Sequence, residues 1–222
     1  MNAPPLRHLL ATTLALAVLC APLAAQMSFE KPGARDASRV TSGSYVVDHY
    51  HTLVGWRVDH MGLTPYFGTF GDVTGTLVLD RDDPARSKLD ITIPVAKVTT
   101  PSAELTAHLL RAPAKPGDKA DFFGSAPADA RFVMTSLTPD SAAGTASMTG
   151  DLTLNGVTRP VTLDVSFYGA GKFPVTMGGA ESIGFTAKGT IKRSDFNVSF
   201  GIPMISDEVE LDIVAGFIKQ PG

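Results

Sequence analysis

Three of the five histidines, His49, His51 and His60, fall in one short stretch beside Asp48, and His108 follows further along. Neutral imidazoles with a carboxylate are zinc ligands, so the set raises the question of a metal site. His49 and His51 share a face only where the chain stays extended, and no H-x-E-x-H or HExxH spacing supports a site. On the other reading, His51 and His60 bond to backbone or to a polar head group at the mouth of a cavity. Ser44, Asp48 and His51 include the residue types of a hydrolytic triad, yet no serine lies in a G-x-S-x-G elbow. Ser102, close to His108, reads as a helix cap. Arg193-Ser194-Asp195 offers a phosphate contact or a polar turn in which Arg193 pairs Asp195, and so short a motif favours the turn. Neither catalysis, nor a metal, nor a cofactor is expected.

The elements that would position these groups are strands. In Leu53 to Met61, Val54, Trp56, Val58 and His60 fall on one face, and Gly55, Arg57 and Asp59 on the other. Tyr45 to Tyr50 forms a shorter strand before it. Gly62 to Phe67 reads as a loop broken by Pro65, and Gly68 to Asp80 as a long strand with a β-bulge at Gly71-Asp72. Alternation continues through Ile91 to Val95, where Pro94 marks an edge or a bulge, and through Phe132 and Met134. It runs on through Met148 to Leu154, Val161 to Phe167, Ile183 to Ile191 and Val209 to Phe217. Asn155-Gly156 is a hairpin turn, since this pair takes positive φ at both positions. Pro101 to Arg111 fits one short amphipathic helix. Phe122 and Phe123, adjacent in a polar loop, should fold back over something apolar. The expected fold is all-β, about eight antiparallel strands closed into an extended barrel, because long tilted strands suit barrels better than sandwiches.

Residues 1–25 read as a secretory signal. Arg7 and His8 precede the apolar run Leu9 to Leu19, which is too short to span a bilayer, and Ala24-Ala25 offer small residues for cleavage. Cys20 raises lipidation as an alternative, but bulky Leu19 stands before it where a small residue is expected. It is the only cysteine, so the mature chain has no thiol chemistry and relies on burial for its stability. Residues 26–43 read as a flexible leader and 44–220 as the domain. A net charge of −3 gives no electrostatic case for nucleic acid. No later apolar run is long enough to cross a membrane.

Tyr45-x-x-Asp48-x-x-His51-Thr52 followed by Trp56-x-x-x-His60 resembles the opening of the YceI-like family. Gly68-x-Phe70, Asp121-Phe122-Phe123 and the run Gly150 to Val161 fit its later motifs, and Lys192 to Phe196 with Ile205 to Val209 its closing ones. The resemblance covers roughly residues 44–218, in order and at the right spacing. It implies a lipocalin-like barrel in the bacterial periplasm, with an elongated apolar cavity for a polyisoprenoid or similar long-chain amphiphile. Trp56 departs from the family by replacing a smaller aromatic, which would reshape that cavity. Thr52 stands where serine is usual, Ala126 to Ala130 lacks a tyrosine-proline pair, and Asn197 replaces a glycine.

On this reading the cavity wall comprises Val54, Trp56, Val58, His60, Phe70, Leu109, Phe122, Phe123, Phe132, Met134, Phe167 and Phe185. His51 and His60 would contact the head group. The expected function is a periplasmic carrier or sequestering protein for a long apolar lipid, with no chemistry of its own. The competing reading is a stress protein that binds a metal or small molecule through its histidines. Expected partners are the lipid and, as one option, a second copy in a homodimer.

Overall fold

The computed structural model describes residues 30–221 apart from positions 116 and 141. The expected signal segment 1–25 and Cys20 lie outside the described residues. In chain order the strands are β1 (Gly33–Ala34), β2 (Gly43–Val47), β3 (Leu53–His60), β4 (Thr64–Phe70), β5 (Thr74–Leu79) and β6 (Lys88–Ile93). They continue as β7 (Val98–Thr99), β8 (Ala130–Asp140), β9 (Thr145–Leu154), β10 (Val157–Lys172), β11 (Glu181–Lys192) and β12 (Glu208–Lys219). The helix α1 (Ala103–Leu109) lies between β7 and β8, and the Ser102 hydroxyl accepts from the Leu105 amide as an N-cap.

Antiparallel pairing closes the sheet into a barrel of eight staves, three of them broken in the middle. β2 and β3 both pair β12 and together make the first stave. β4 and β5 pair β3 and β2 in turn, and β7 and β6 pair β4 and β5. β8, β9, β10, β11 and β12 complete the ring as unbroken strands. Asn155 and Gly156 both have positive φ, 51° and 76°, at the tight β9–β10 turn, as their residue types require.

Each break has a chemical cause. Between β2 and β3, Thr52 Oγ1 accepts from the Gly216 amide at 3.0 Å and donates to its carbonyl, so one side chain replaces a missing rung of the ladder. The first strand therefore stops at Val47 and does not reach Tyr50. Between β4 and β5, Asp72 adopts φ 53°, which bends the stave at the expected crossover. Pro94 ends β6 and starts a 3-10 turn. The segment expected as a loop from Gly62 to Phe67 is mostly strand, because the turn is made earlier by Met61 and Gly62, both at positive φ. Pro65 is tolerated there because β7 covers only Thr69 and Phe70 of β4, leaving the outer side at Pro65 without a partner strand among the described residues.

The described part of the leader is docked on the barrel. Gly33 and Ala34 pair Gly171 and Ala170 of β10, and Asp36 caps a 3-10 turn at Ala37–Arg39. A Cβ on Gly171 would stand 2.1 Å from the Pro32 carbonyl oxygen, so only glycine admits the leader this closely.

Candidate functional site: an apolar barrel cavity

The strands place one face of every stave around a cavity of about 610 Å³. The inward positions read from alternation meet there: Leu77 from β5, Ile91 from β6, Met148 from β9, Leu163 from β10, Ile183 from β11 and Phe217 from β12. The Phe132 ring lies over Gly150 of the neighbouring β9. A Cβ on Gly150 would lie 2.3 Å from the Phe132 ring. Phe185 stands edge-on to both Phe167 and Phe217, with ring centroids about 6 Å apart, so an aromatic cluster forms part of the wall.

The expected wall divides into two groups. Val54, Phe70, Phe132, Met134, Phe167 and Phe185 line the cavity. Trp56, Val58, His60, Leu109, Phe122 and Phe123 do not, because the far end of the barrel is plugged and β3 runs past the void. His60 bridges Ile205 of the β11–β12 connection, and the Met61 amide donates to Met204 there. The Trp56 indole lies over Gly68 at the β3–β4 pair, where the missing Cβ leaves room for its size, and it is not part of the cavity lining. Leu109 is buried beneath the plug and its carbonyl accepts from the Phe123 amide. Phe123 stands edge-on to Phe70 at 5.9 Å and packs against the interior cluster that includes Phe132 and Phe196. Phe122 folds over His108 and Phe200 in edge-on contacts at 5.2 and 5.4 Å, so the pair of phenylalanines does cover apolar surface, but neither lines the cavity.

The polar candidates are dispersed in the same way. His51 is exposed and bonds Asp48 Oδ2 through Nδ1 at 2.7 Å, within the break between β2 and β3. His108 Nε2 and the Arg111 guanidinium share Asp121 Oδ2 at 2.8 and 2.7 Å, and the hydrogen bond from His108, followed by that from Arg111, holds the carboxyl below its ordinary range. Among the described residues, no three His, Cys, Asp or Glu side chains converge as metal ligands would. Ser44, on β2, has no hydrogen bond to Asp48 or His51 among the described residues.

Arg193 makes no ion pair with Asp195. It is buried, and it donates to the carbonyls of Val198, Phe200, Ile205 and Ser206 at 2.8–3.0 Å. Burial lowers its pKa, and Asp207 opposes that shift. Asp207 instead takes the Ser194 amide and hydroxyl. The guanidinium is thus a clamp that folds the connection from β11 to β12 across the far end.

A YceI-like domain model matches residues 45–217. The chain belongs to the YceI-like family. Protein YceI of Escherichia coli O157:H7 is 36% identical over 187 residues, covering 83% of this chain and 91% of that protein. Protein YceI of Salmonella arizonae is 36% identical over 188 residues, covering 81% and 92%. Among solved structures, the YCEI protein of Campylobacter jejuni is 31% identical with a TM-score of 0.59, over 73% of this chain and 90% of that one. Burkholderia cenocepacia BcnA, 24% identical over 77% and 98%, superposes with a TM-score of 0.62 and supports the fold. So does a polyisoprenoid binding domain from Saccharophagus degradans, 14% identical with a TM-score of 0.53 over 81% and 100%. In this YceI-like barrel the cavity-lining residues that the sequence reading did not name, among them Leu77, Met148 and Ile183, carry the same alternation as those it named. Arg81, also on the cavity wall, had no such signal.

Proposed function

We propose that this protein binds a long-chain apolar lipid, such as a polyisoprenoid, in its barrel and carries or sequesters it in the periplasm without chemistry of its own. The observation that carries this reading is a void of about 610 Å³ walled by aliphatic and aromatic side chains from all eight staves. At roughly 30 Å³ per methylene-sized group, the share of a liquid water molecule, that volume takes on the order of 20 chain carbons. An apolar wall of this kind gives a bound water too few partners to hold it, and favours a hydrocarbon instead. Each buried methylene contributes about 0.8 kcal/mol before the cost of ordering the chain. Family membership supports a binding role, and the proposed export rests on the signal-like sequence of residues 1–25. Among the described residues, no helix is long and apolar enough to cross a membrane.

The test is uptake by protein stripped of lipid with organic solvent. A fluorescent polyene of prenyl type should saturate the barrel at one molecule per chain. Ala187→Trp and Ala215→Trp, which place a large ring in the void from β11 and β12, should abolish uptake while the folded circular-dichroism spectrum persists. Uptake unchanged in both folded variants, or none in the wild type, would refute the reading.

A further inference from the structure

The wall of the cavity holds one ionisable residue among those described: Arg81. It sits where the β5–β6 turn, the β8–β9 turn and the leader turn at Ala37–Arg39 surround the mouth of the barrel. Its backbone is fixed by a hydrogen bond from the Arg81 amide to Ser42 Oγ at 2.9 Å. Neighbouring arginines are committed elsewhere. Arg86 pairs Asp80 and Arg39 pairs Asp36, both at 3.5 Å, whereas Arg81 makes no ion pair among the described residues. Ser87 lines the same mouth, 6% exposed, and its oxygen accepts from the Asp80 amide at 3.0 Å. Its hydroxyl proton has no acceptor among the described residues, so the lining holds a second donor besides Arg81.

We infer that the mouth is a head-group site for an anionic amphiphile, a carboxylate or a phosphate ester, with Arg81 as the principal contact and Ser87 as a supporting donor. The inference rests on the lipid-binding reading and names its polar end. A guanidinium meets a carboxylate or phosphate through two parallel N–H bonds, which a neutral alcohol cannot reciprocate. The chain would then run inward from Arg81 toward the plugged far end, with its charge left at the wet rim. That orientation leaves the anion solvated on one side and avoids carrying a charge into an apolar interior. It also places the head group away from His51 and His60, neither of which lines the void.

Matched ligands of one chain length separate the head group from the tail. Lipid-free protein carrying a neutral fluorescent alkane would be titrated with palmitate, hexadecyl phosphate and hexadecanol. Wild type should bind the two anions about tenfold more tightly than the alcohol, as one charge-assisted contact at a solvated rim allows. Arg81→Gln should bring the anions to the level of the alcohol and leave the alcohol unchanged, and Arg81→Lys should keep part of the preference. Inorganic phosphate should compete at least about a hundredfold more weakly than hexadecyl phosphate, since it lacks the buried chain. Equal affinity for alcohol and anions, a preference that survives in Arg81→Gln, or equal competition by inorganic phosphate would each overturn the head-group site while cavity binding stands. Failure of all three long-chain ligands to displace the alkane, or of the alkane to bind, would overturn the lipid-binding reading and this inference with it.

Discussion

Arg193 carries its charge into the far end of the barrel because the β11–β12 connection turns four carbonyls onto it. A neutral side chain there would leave the Val198 carbonyl and its three half-buried neighbours without that donor, at a cost of about 1–3 kcal/mol for each that stays buried without a partner. Arg193→Ala should therefore lower the urea midpoint sharply, and Arg193→Lys should recover only part of it, since an ammonium lacks the planar fork. An unchanged midpoint in Arg193→Ala would show the clamp to be dispensable. Gly150 acts at the same scale. Gly150→Val should push the Phe132 ring into the void and weaken lipid uptake by about tenfold or more, read by the polyene titration, because overpacked rings shift into the nearest empty space. Neither role was legible in the sequence. Arg193-Ser194-Asp195 reads as a local ion pair because only the three-dimensional path of residues 197–207 brings the carbonyls back to Arg193. His49, His51 and His60 read as a cluster for the opposite reason: adjacency in sequence hid the break between β2 and β3, which holds His51 against Asp48 while His60 ends β3 beside Ile205.

At the scale of elements, the leader is the part that the sequence misrepresents. Its polar, aperiodic composition reads as flexible, yet residues 33–34 pair β10, and Thr41 is held by Glu181, which also takes Lys219. The Thr41 hydroxyl and then the Lys219 ammonium keep the Glu181 carboxyl below its ordinary range. A depressed folded-state pKa stabilises the docked leader above the ordinary glutamate range, and that contribution fades as pH falls through the folded value. Hydrogen exchange around Val40 to Ser42, normalised for intrinsic rates, should thus quicken as pH falls below the ordinary glutamate range, and Glu181→Gln should show no such step. Gly171→Val tests the docking itself. Trypsin should cut after Arg35 about tenfold faster in this variant, since a released strand is open to proteolysis, while global stability moves by no more than about 1 kcal/mol. Pro65 misled in the reverse direction: it reads as a loop breaker, and only the unpaired outer side of β4 makes it compatible with a strand.

For the molecule as a whole, the period of two was the dependable signal. Leu163, Val165 and Phe167 in β10 and Ile213, Ala215 and Phe217 in β12 reach the cavity wall as their alternation requires. The same rule failed for Trp56, Val58 and His60, which share parity with Val54. Parity fixes the face of a stave, but the depth at which the interior is filled depends on α1, the Phe122-Phe123 segment and the β11–β12 connection, all of them distant in sequence. Some of the family-motif residues, among them His60, Phe122, Phe123 and Arg193, belong to that plug, whereas Thr52 and Phe70 line the void. The central claim is that the void exists to hold a lipid. Native mass spectrometry of protein purified from cells without detergent tests it most directly. The expected spectrum shows a one-to-one adduct with a long-chain lipid, removed by solvent extraction, restored on adding the extract back, and missing from Ala187→Trp. A bare-protein mass in the wild type, with no adduct regained from a total lipid extract, would contradict it.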